Sequence, residues 1–294
     1  MDKIYVVIPV LNRWTQTERC LDHLRTSLHC SYHAVVVDHG STDETKTALR
    51  TRYPEVLHIE AEPTLWWTGA TNLGIKQAVE RGAKAVMLLN NDCYVTRDTL
   101  ARLSSHASQN PASIIAPVQF DAQNGHLLAN VAASCFLLGF PTIPLRRKLR
   151  GKIGDRYLVP TKLILGGRGV IIPTVVFERV GVFDELNLPH YGADHDFYLR
   201  CQKRGIPLFI ATDASVLVDG TRTTLATGLE EMNFRQFIAS LKSRRSHRNV
   251  SDLVALFKAH YPLKGLHHIG VALNIARYTI VYLLKRILHG LSSL

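Results

Sequence analysis

Apolar runs closed by small polar residues divide the first third of the chain. Ile4–Val10, residues 34–37 and Ala85–Leu89 are almost continuously hydrophobic. Such runs read as strands buried on both faces, because half-exposed strands alternate. Residues 56–59 form a shorter run of the same kind. Between these runs the period lengthens. Thr15 with Glu18 and Ser41 with Glu44 read as T-x-x-E and S-x-x-E capping boxes, each opening a helix. The first helix carries an apolar stripe of Cys20, Leu21, Leu24 and Leu28, and the second runs to about Arg52. After a loop holding Trp66 and Trp67, residues 69–81 predict a third helix with Gly82 as its C-terminal cap. Strand–helix alternation at this density predicts an α/β fold, a doubly wound and mainly parallel sheet with helices on both faces.

The second half is less regular. Residues 98–106 predict a helix and 114–117 a strand, while 121–160 show no clear period. Residues 163–173, LILGGRGVIIP, read as a glycine-punctured strand pair or bend. Gly166, Gly167 and Gly169 suit either a tight turn or close approach of backbone to a ligand. Thr174 opens a short helix ending at Gly181, 193–204 a longer one closed by Gly205, and 207–211 and 216–218 two more strands. From Met232 the composition shifts to a basic run, Lys242, Arg244, Arg245, His247 and Arg248. Helical patterns follow over Val250–His260 and 266–288. Asn274 and Arg277 interrupt the last, which falls short of the roughly 20 apolar residues of a membrane span. The expected division is an α/β domain over 1–231 and a basic, amphipathic helical region over 232–294. That region would lie on an anionic membrane surface, pack on the domain, or meet a second subunit in a homodimer.

Composition adds two constraints. A hydrophobic content of 46% with 20% charged residues excludes a disordered chain. The net charge of +11 points to an anionic partner: nucleic acid, a membrane surface or a phosphorylated small molecule. Nucleic acid is disfavoured, because the basic residues are not interleaved with aromatics. The five cysteines have no disulfide or zinc spacing, which predicts a reducing, cytoplasmic location.

Candidate chemistry follows from the strand tips. Asn12, Asp38 and Asn90-Asn91-Asp92 close three parallel strands and so share one sheet edge, where open α/β sheets form a nucleotide crevice. A carboxylate there, Asp92, can hold a hard divalent cation that bridges to phosphates, although Asn and Asp also favour plain turns. No G-x-G-x-x-G or P-loop follows the first strand. Asp194 and Asp196 open a helix. There they are stabilised by the helix dipole, or one of them serves as a general base.

The ordered motifs PVLNR, VVVDHGSTDE, TGATNLGI after a tryptophan-bearing loop, MLLNNDC, GGRGVIIP, VGVFDE and GADHDFYLRCQKRG resemble family 2 glycosyltransferases of the GT-A fold. Within that family they are similar to the bacterial rhamnosyltransferase-like enzymes of surface polysaccharide synthesis. The resemblance covers about Ile4 to Asp219. It implies an inverting transfer of a sugar from a nucleotide-sugar donor, dTDP-rhamnose or a UDP-sugar, to a lipid-linked or glycan acceptor. The enzyme would be peripheral on the inner face of the cell membrane and use Mg²⁺ or Mn²⁺. It also implies roles. Pro9, Asn12, Asp38 and Asp43 would form the nucleotide pocket, with Trp67, Gly69, Asn72, Asn90 and Asn91 completing the donor side. Asp92 is in the metal-facing DxD position, Gly167 and Gly169 at the sugar–acceptor wall, and Asp194 in the base position. His190 and Asp196 would face the acceptor. The departures are Asn90 for the first DxD carboxylate, Ala193 for the glutamate before the base, and His39 for a frequent asparagine. Thr71 stands where many members carry a diphosphate-binding arginine, and Asp219 near a frequent histidine. Two other readings compete: a non-catalytic, membrane-docked nucleotide-sugar binder, motivated by Asn90 and Ala193, and a sugar-phosphate nucleotidyltransferase. The second would want a glycine-rich, lysine-bearing first loop, which PVLNRW lacks.

Overall fold

The structure is a computed structural model that describes residues 3–28, 30–128, 130–155, 157–220 and 232–292. The expected alternation is present in the first third: β1 (Ile4–Val10), α1 (Trp14–Arg25), β2 (Tyr32–Asp38), α2 (Thr45–Arg52), β3 (Leu57–Glu60), α3 (Trp66–Glu80) and β4 (Ala85–Leu89). Strands β3, β2, β1 and β4 pair in parallel in that order. The next elements are β5 (Cys93–Val95), α4 (Thr99–Gln109), β6 (Ile114–Asp121), β7 (Val131–Cys135), β8 (Phe140–Pro144), β9 (Leu158–Thr161), β10 (Leu163–Ile164) and β11 (Arg168–Pro173). Helices α5 (Thr174–Val180) and α6 (Ala193–Lys203) and strand β12 (Leu208–Val218) complete the α/β part. The main sheet continues from β4 through β11, β6 and β12 to β5, and β7, β8 and β10 form a small second sheet.

Two faces of the main sheet carry separate cores, as its apolar strands require. Val7, Val37, Val86 and Leu88 meet α3 and α6 on one side. Ile4, Val6, Ile8 and Met87 meet α1, α2 and α4 on the other. The second half is more mixed than its sequence suggests, because β11 runs antiparallel to both β4 and β6. Residues 207–211 and 216–218 form one strand, β12, whose pairing with β6 shifts register between Ala211 and Ser215.

Neither expected capping box forms. Helix α1 starts at Trp14 and α2 at Thr45, each without a side-chain cap from its flanking residue. One carboxylate serves both starts. Asp43 Oδ2 accepts from Trp14 N at 3.0 Å, and Oδ1 from Thr45 N at 3.1 Å and Thr45 Oγ1 at 2.6 Å. Trp66 and Trp67 belong to the first turn of α3 rather than to a loop.

The C-terminal region contributes α7 (Phe234–Lys242), α8 (Val250–His260) and α9 (His267–Ser292). The expected boundary at 231/232 adjoins residues 221–231, which lie outside the described residues. Helices α8 and α9 pack on the α/β part: Leu253, Leu256, Phe257 and Val271 join its core, and Asn274 Nδ2 donates to Gly139 O at 2.7 Å. Gly270 lets the helices approach. A Cβ there would lie 2.6 Å from Cε1 of Phe257, a fully buried ring set edge-on against Phe136. Alanine gains about 1 kcal/mol of helix propensity over glycine, but overpacking a pinned ring costs about 1–3 kcal/mol. Gly270→Ala is therefore expected to lower the melting temperature of the full chain; an unchanged or higher value would show that the ring yields.

Candidate active site

The tips of β1 and β2 are stitched together. Asp38 Oδ1 accepts from Ser41 N at 2.8 Å, Ser41 Oγ accepts from Asn12 N at 2.7 Å, and Asn12 Oδ1 accepts from Thr42 N at 2.7 Å. Burial works against ionisation of Asp43, but the bonds from Thr45 and Trp14 outweigh it and hold the carboxyl below its ordinary value. Beside this scaffold lies a crevice of about 450 Å³, with Pro9, Asn12 and Asn91 on the strand-tip side and His39, Trp66, Trp67, His190 and Arg245 around the rest. Among the described residues, the three non-glycine residues with positive φ are Asn12 (58°), Arg13 (64°) and Trp66 (53°), and all three line it. Strain gathered in one place is a mark of a functional cleft.

Two imidazoles and a guanidinium line the crevice. Burial pushes the His190 imidazole down to about 4, helped by His39 and Arg245, and burial also lowers His39 against the pull of Asp38. Both rings leave a buried Nδ1 without a partner among the described residues. A bound anion would favour their protonated, donating forms.

At the tip of β4 each residue has a distinct task. Asn90 Oδ1 accepts from Trp67 Nε1 at 3.0 Å, and Asn91 Nδ2 donates to Thr17 Oγ1 at 3.0 Å. Among the described residues, the Asp92 carboxylate receives the Cys93 thiol at 3.4 Å and no other hydrogen bond. Asp219 is its neighbour: Asp219 N donates to Asp92 O at 2.8 Å, and Tyr94 OH donates to Asp219 Oδ2 at 3.1 Å. Burial raises the Tyr191 hydroxyl, with Arg168 opposing and Asp92 assisting. Among the described residues no three His, Cys, Asp or Glu side chains gather into a cage for a metal. The donor set fits a hard cation that takes most of its ligands from phosphate and water.

Asp194 joins this corner through the glycine bend. Its Oδ2 accepts from Gly166 N at 3.0 Å. The next residue, Gly167, presses on Trp67, whose Cζ2 would lie 3.0 Å from an added Cβ, and Trp67 in turn holds Asn90. Gly169 (φ +81°) is enclosed by Pro117 and Val216, each 3.0 Å from an added Cβ. These contacts run unbroken from Asn90 to Asp194.

Three expected site residues have structural tasks. Asp196, expected on the acceptor side, is buried with Oδ2 on Arg200 Nε at 2.7 Å and Oδ1 on His260 Nε2 at 2.8 Å. Asn72 clamps the Phe183–Glu185 turn, donating to Phe183 O and Glu185 Oε2 and accepting from Phe183 N. Gly69 lets α3 start closely over Leu65. Arg245 was expected with the basic surface run, yet it lines the crevice. Its only trace in the sequence is the excess of positive charge.

The family model for Glycosyl transferase family 2 matches residues 5–167, more than half of the chain. The dTDP-rhamnosyl transferase RfbF of Shigella flexneri is 24% identical over 236 residues, covering 76% of this chain and 74% of that protein. The crystal structure of S. aureus TarS 1-349 in complex with UDP-GlcNAc superposes with a TM-score of 0.58 at 15% identity, covering 97% of this chain and 91% of that one. GalNAc-T7 with UDP, GalNAc and Mn²⁺ gives a TM-score of 0.63 at 12% identity, over 96% of this chain and 54% of that one.

Proposed function

This chain belongs to glycosyltransferase family 2 and has its GT-A fold, and from that premise we propose that it is an inverting glycosyltransferase acting on a nucleotide diphosphate-sugar. The observation that carries the reading is the line of contacts from Asn90 through Trp67 and the glycine bend to Asp194. It joins a diphosphate-holding corner to a carboxylate able to act as a base.

The nucleotide lies over Pro9, Asn12 and Asp38, with Trp66 and Trp67 offering faces for stacking. Its diphosphate meets His39, Arg245 and also His190, which the resemblance placed on the acceptor side but which lines this crevice. Arg245 supplies the cation that Thr71 does not, since Thr71 is buried with its hydroxyl on Trp67 O at 2.7 Å. Asp92 would hold a Mg²⁺ or Mn²⁺ ion together with the diphosphate. That ion supplies Lewis-acid stabilisation of the leaving group. Asp194 takes the proton of the acceptor hydroxyl as its oxygen bonds to the anomeric carbon from the face opposite the leaving group. The bond from that carbon to the phosphate oxygen breaks in the same displacement, and the nucleoside diphosphate departs. One displacement inverts the configuration. The identity to RfbF favours dTDP-rhamnose as donor, with a UDP-sugar as the competitor.

Among the described residues no helix is long and apolar enough to cross a membrane. Helix α9 nevertheless exposes Ile280, Leu283, Leu284, Ile287 and Leu288 beside Lys285 and Arg286. An exposed apolar row edged with lysine and arginine suits the anionic inner face of a cell membrane, where a lipid-linked acceptor would be met.

A thermal-shift panel of nucleotide sugars with and without Mn²⁺ tests the reading. One donor at 100 times its Kd should stabilise the fold by about 2.7 kcal/mol, and more strongly with the metal present. No response to any donor would overturn the proposal.

A further inference from the structure

A second cavity, of about 290 Å³, opens beside Asp194. One wall is the start of α6 with Asp194 and His195, and another is Thr142 of β8. The remainder comes from the C-terminal helices, chiefly Asp252 of α8 and Arg277 and Tyr278 of α9. This volume is at the small end of ligand pockets, which run to about 300–1,000 Å³. It suits a group of monosaccharide size rather than a second nucleotide.

Asp252 is the unexplained group in this cavity. The residue is 5% exposed, and neither carboxylate oxygen has a hydrogen-bond partner among the described residues. Burial raises its pKa to about 6, with Arg244 pulling the other way. A position in the first turn of α8 explains why an acid is tolerated there. It does not explain why both oxygens are buried unpaired, which costs free energy unless something donates to them. Arg277 has the complementary character. Its guanidinium lies 4.9 Å from the Phe140 ring centroid and 4.5 Å from that of Tyr278, and its buried Nε is unpaired. Paired acceptor oxygens, an N–H donor and an apolar floor of Leu253 and Leu256 are what a sugar ring requires, with its hydroxyls on one edge and C–H groups on its faces.

We propose that α8 and α9 build the acceptor subsite, in which Asp252 receives the hydroxyl hydrogens of a sugar ring and Arg277 donates to one of its oxygens while another hydroxyl of the same ring is presented to Asp194. The proposal rests on the glycosyl-transfer reading above and names the acceptor class as a hydroxyl-rich sugar. The basic, apolar C-terminal region is then part of the active site, and selectivity for the acceptor resides in it.

The test titrates the full chain by saturation-transfer NMR with three probe acceptors, octyl α-rhamnoside, octyl β-glucoside and octyl β-galactoside. Thymidine and uridine diphosphates are titrated separately. At least one glycoside should bind the wild type, and Asp252→Ala should weaken it by tenfold or more while the nucleoside diphosphate Kd stays within twofold. Asp252→Asn keeps the shape and one acceptor oxygen. It should weaken the glycoside severalfold and leave the melting temperature equal or higher. Failure of all three glycosides to bind, or equal binding to Asp252→Asn and wild type, overturns the subsite. Glycoside binding without binding of either nucleoside diphosphate would leave the subsite standing and count against the proposed donor chemistry instead.

Discussion

Replacing Asp194 by Asn is expected to lower kcat by about 10²–10⁴-fold, the usual contribution of a positioned general base. The KM for the donor should change little. The substitution is nearly isosteric, and the Asn carboxamide oxygen can still accept from Gly166 N, the bond that now ties the residue to the glycine bend. Only basicity is removed. Asp194→Ala removes that anchor as well, so any further loss in Ala relative to Asn measures how far the bend depends on the residue. Initial rates over a donor series at saturating acceptor separate the two effects. A kcat for Asp194→Asn within threefold of wild type would assign the proton to another group.

The half of the fold that could be read from the sequence was the half in which burial is complete. Strands β1, β2 and β4 are buried along nearly their whole length, so their apolar runs have one interpretation. The antiparallel half gives a weaker signal. Strands β7, β8 and β9 are short and partly exposed, which leaves no clear local period. Helix starts failed for a related reason. A Thr-x-x-Glu or Ser-x-x-Glu pattern describes a helix in isolation, whereas Asp43, held between two strand tips, reaches both α1 and α2 and displaces the local caps.

The candidate site divides along similar lines. Residues at strand tips were legible because topology alone gathers parallel carboxyl ends at one edge. Asn72, Asp196 and Arg245 were not, because their partners lie on the Phe183–Glu185 turn, on α8 and in the crevice, far away in sequence. The resemblance of motifs cannot separate a carboxylate that lines a cavity from one two residues later that faces a core. Helical spacing does. Asp194 and Asp196 stand two residues apart, so they point to different sides of α6.

That difference makes Asp196 the residue whose loss should most damage the fold. Its side chain is 6% exposed, and it holds the buried His260 and the guanidinium of Arg200. Arg200 also donates to Val180 O and Val182 O, each at 2.8 Å. One carboxylate thus joins α6, the end of α5 and the last turn of α8. Removing one partner of a buried ion pair costs about 3–5 kcal/mol, because the other is left buried without it, as His260 would be here. A reduction of that size in Asp196→Ala corresponds to a fall in melting temperature on the order of 10 °C. The pH dependence has a definite sign. Burial pushes the Asp196 carboxyl up, but the bonds from His260 and Arg200 prevail and leave it below its ordinary value. A carboxyl depressed in the folded state contributes stability above its unfolded pKa of about 3.9 and loses it as pH falls through the folded value. The margin between wild type and Asp196→Ala should therefore shrink as the pH falls through the folded value. Below the variant's melting temperature the acceptor KM should remain near the wild-type value. A large rise in acceptor KM with little change in melting temperature would instead return Asp196 to the acceptor side of the site.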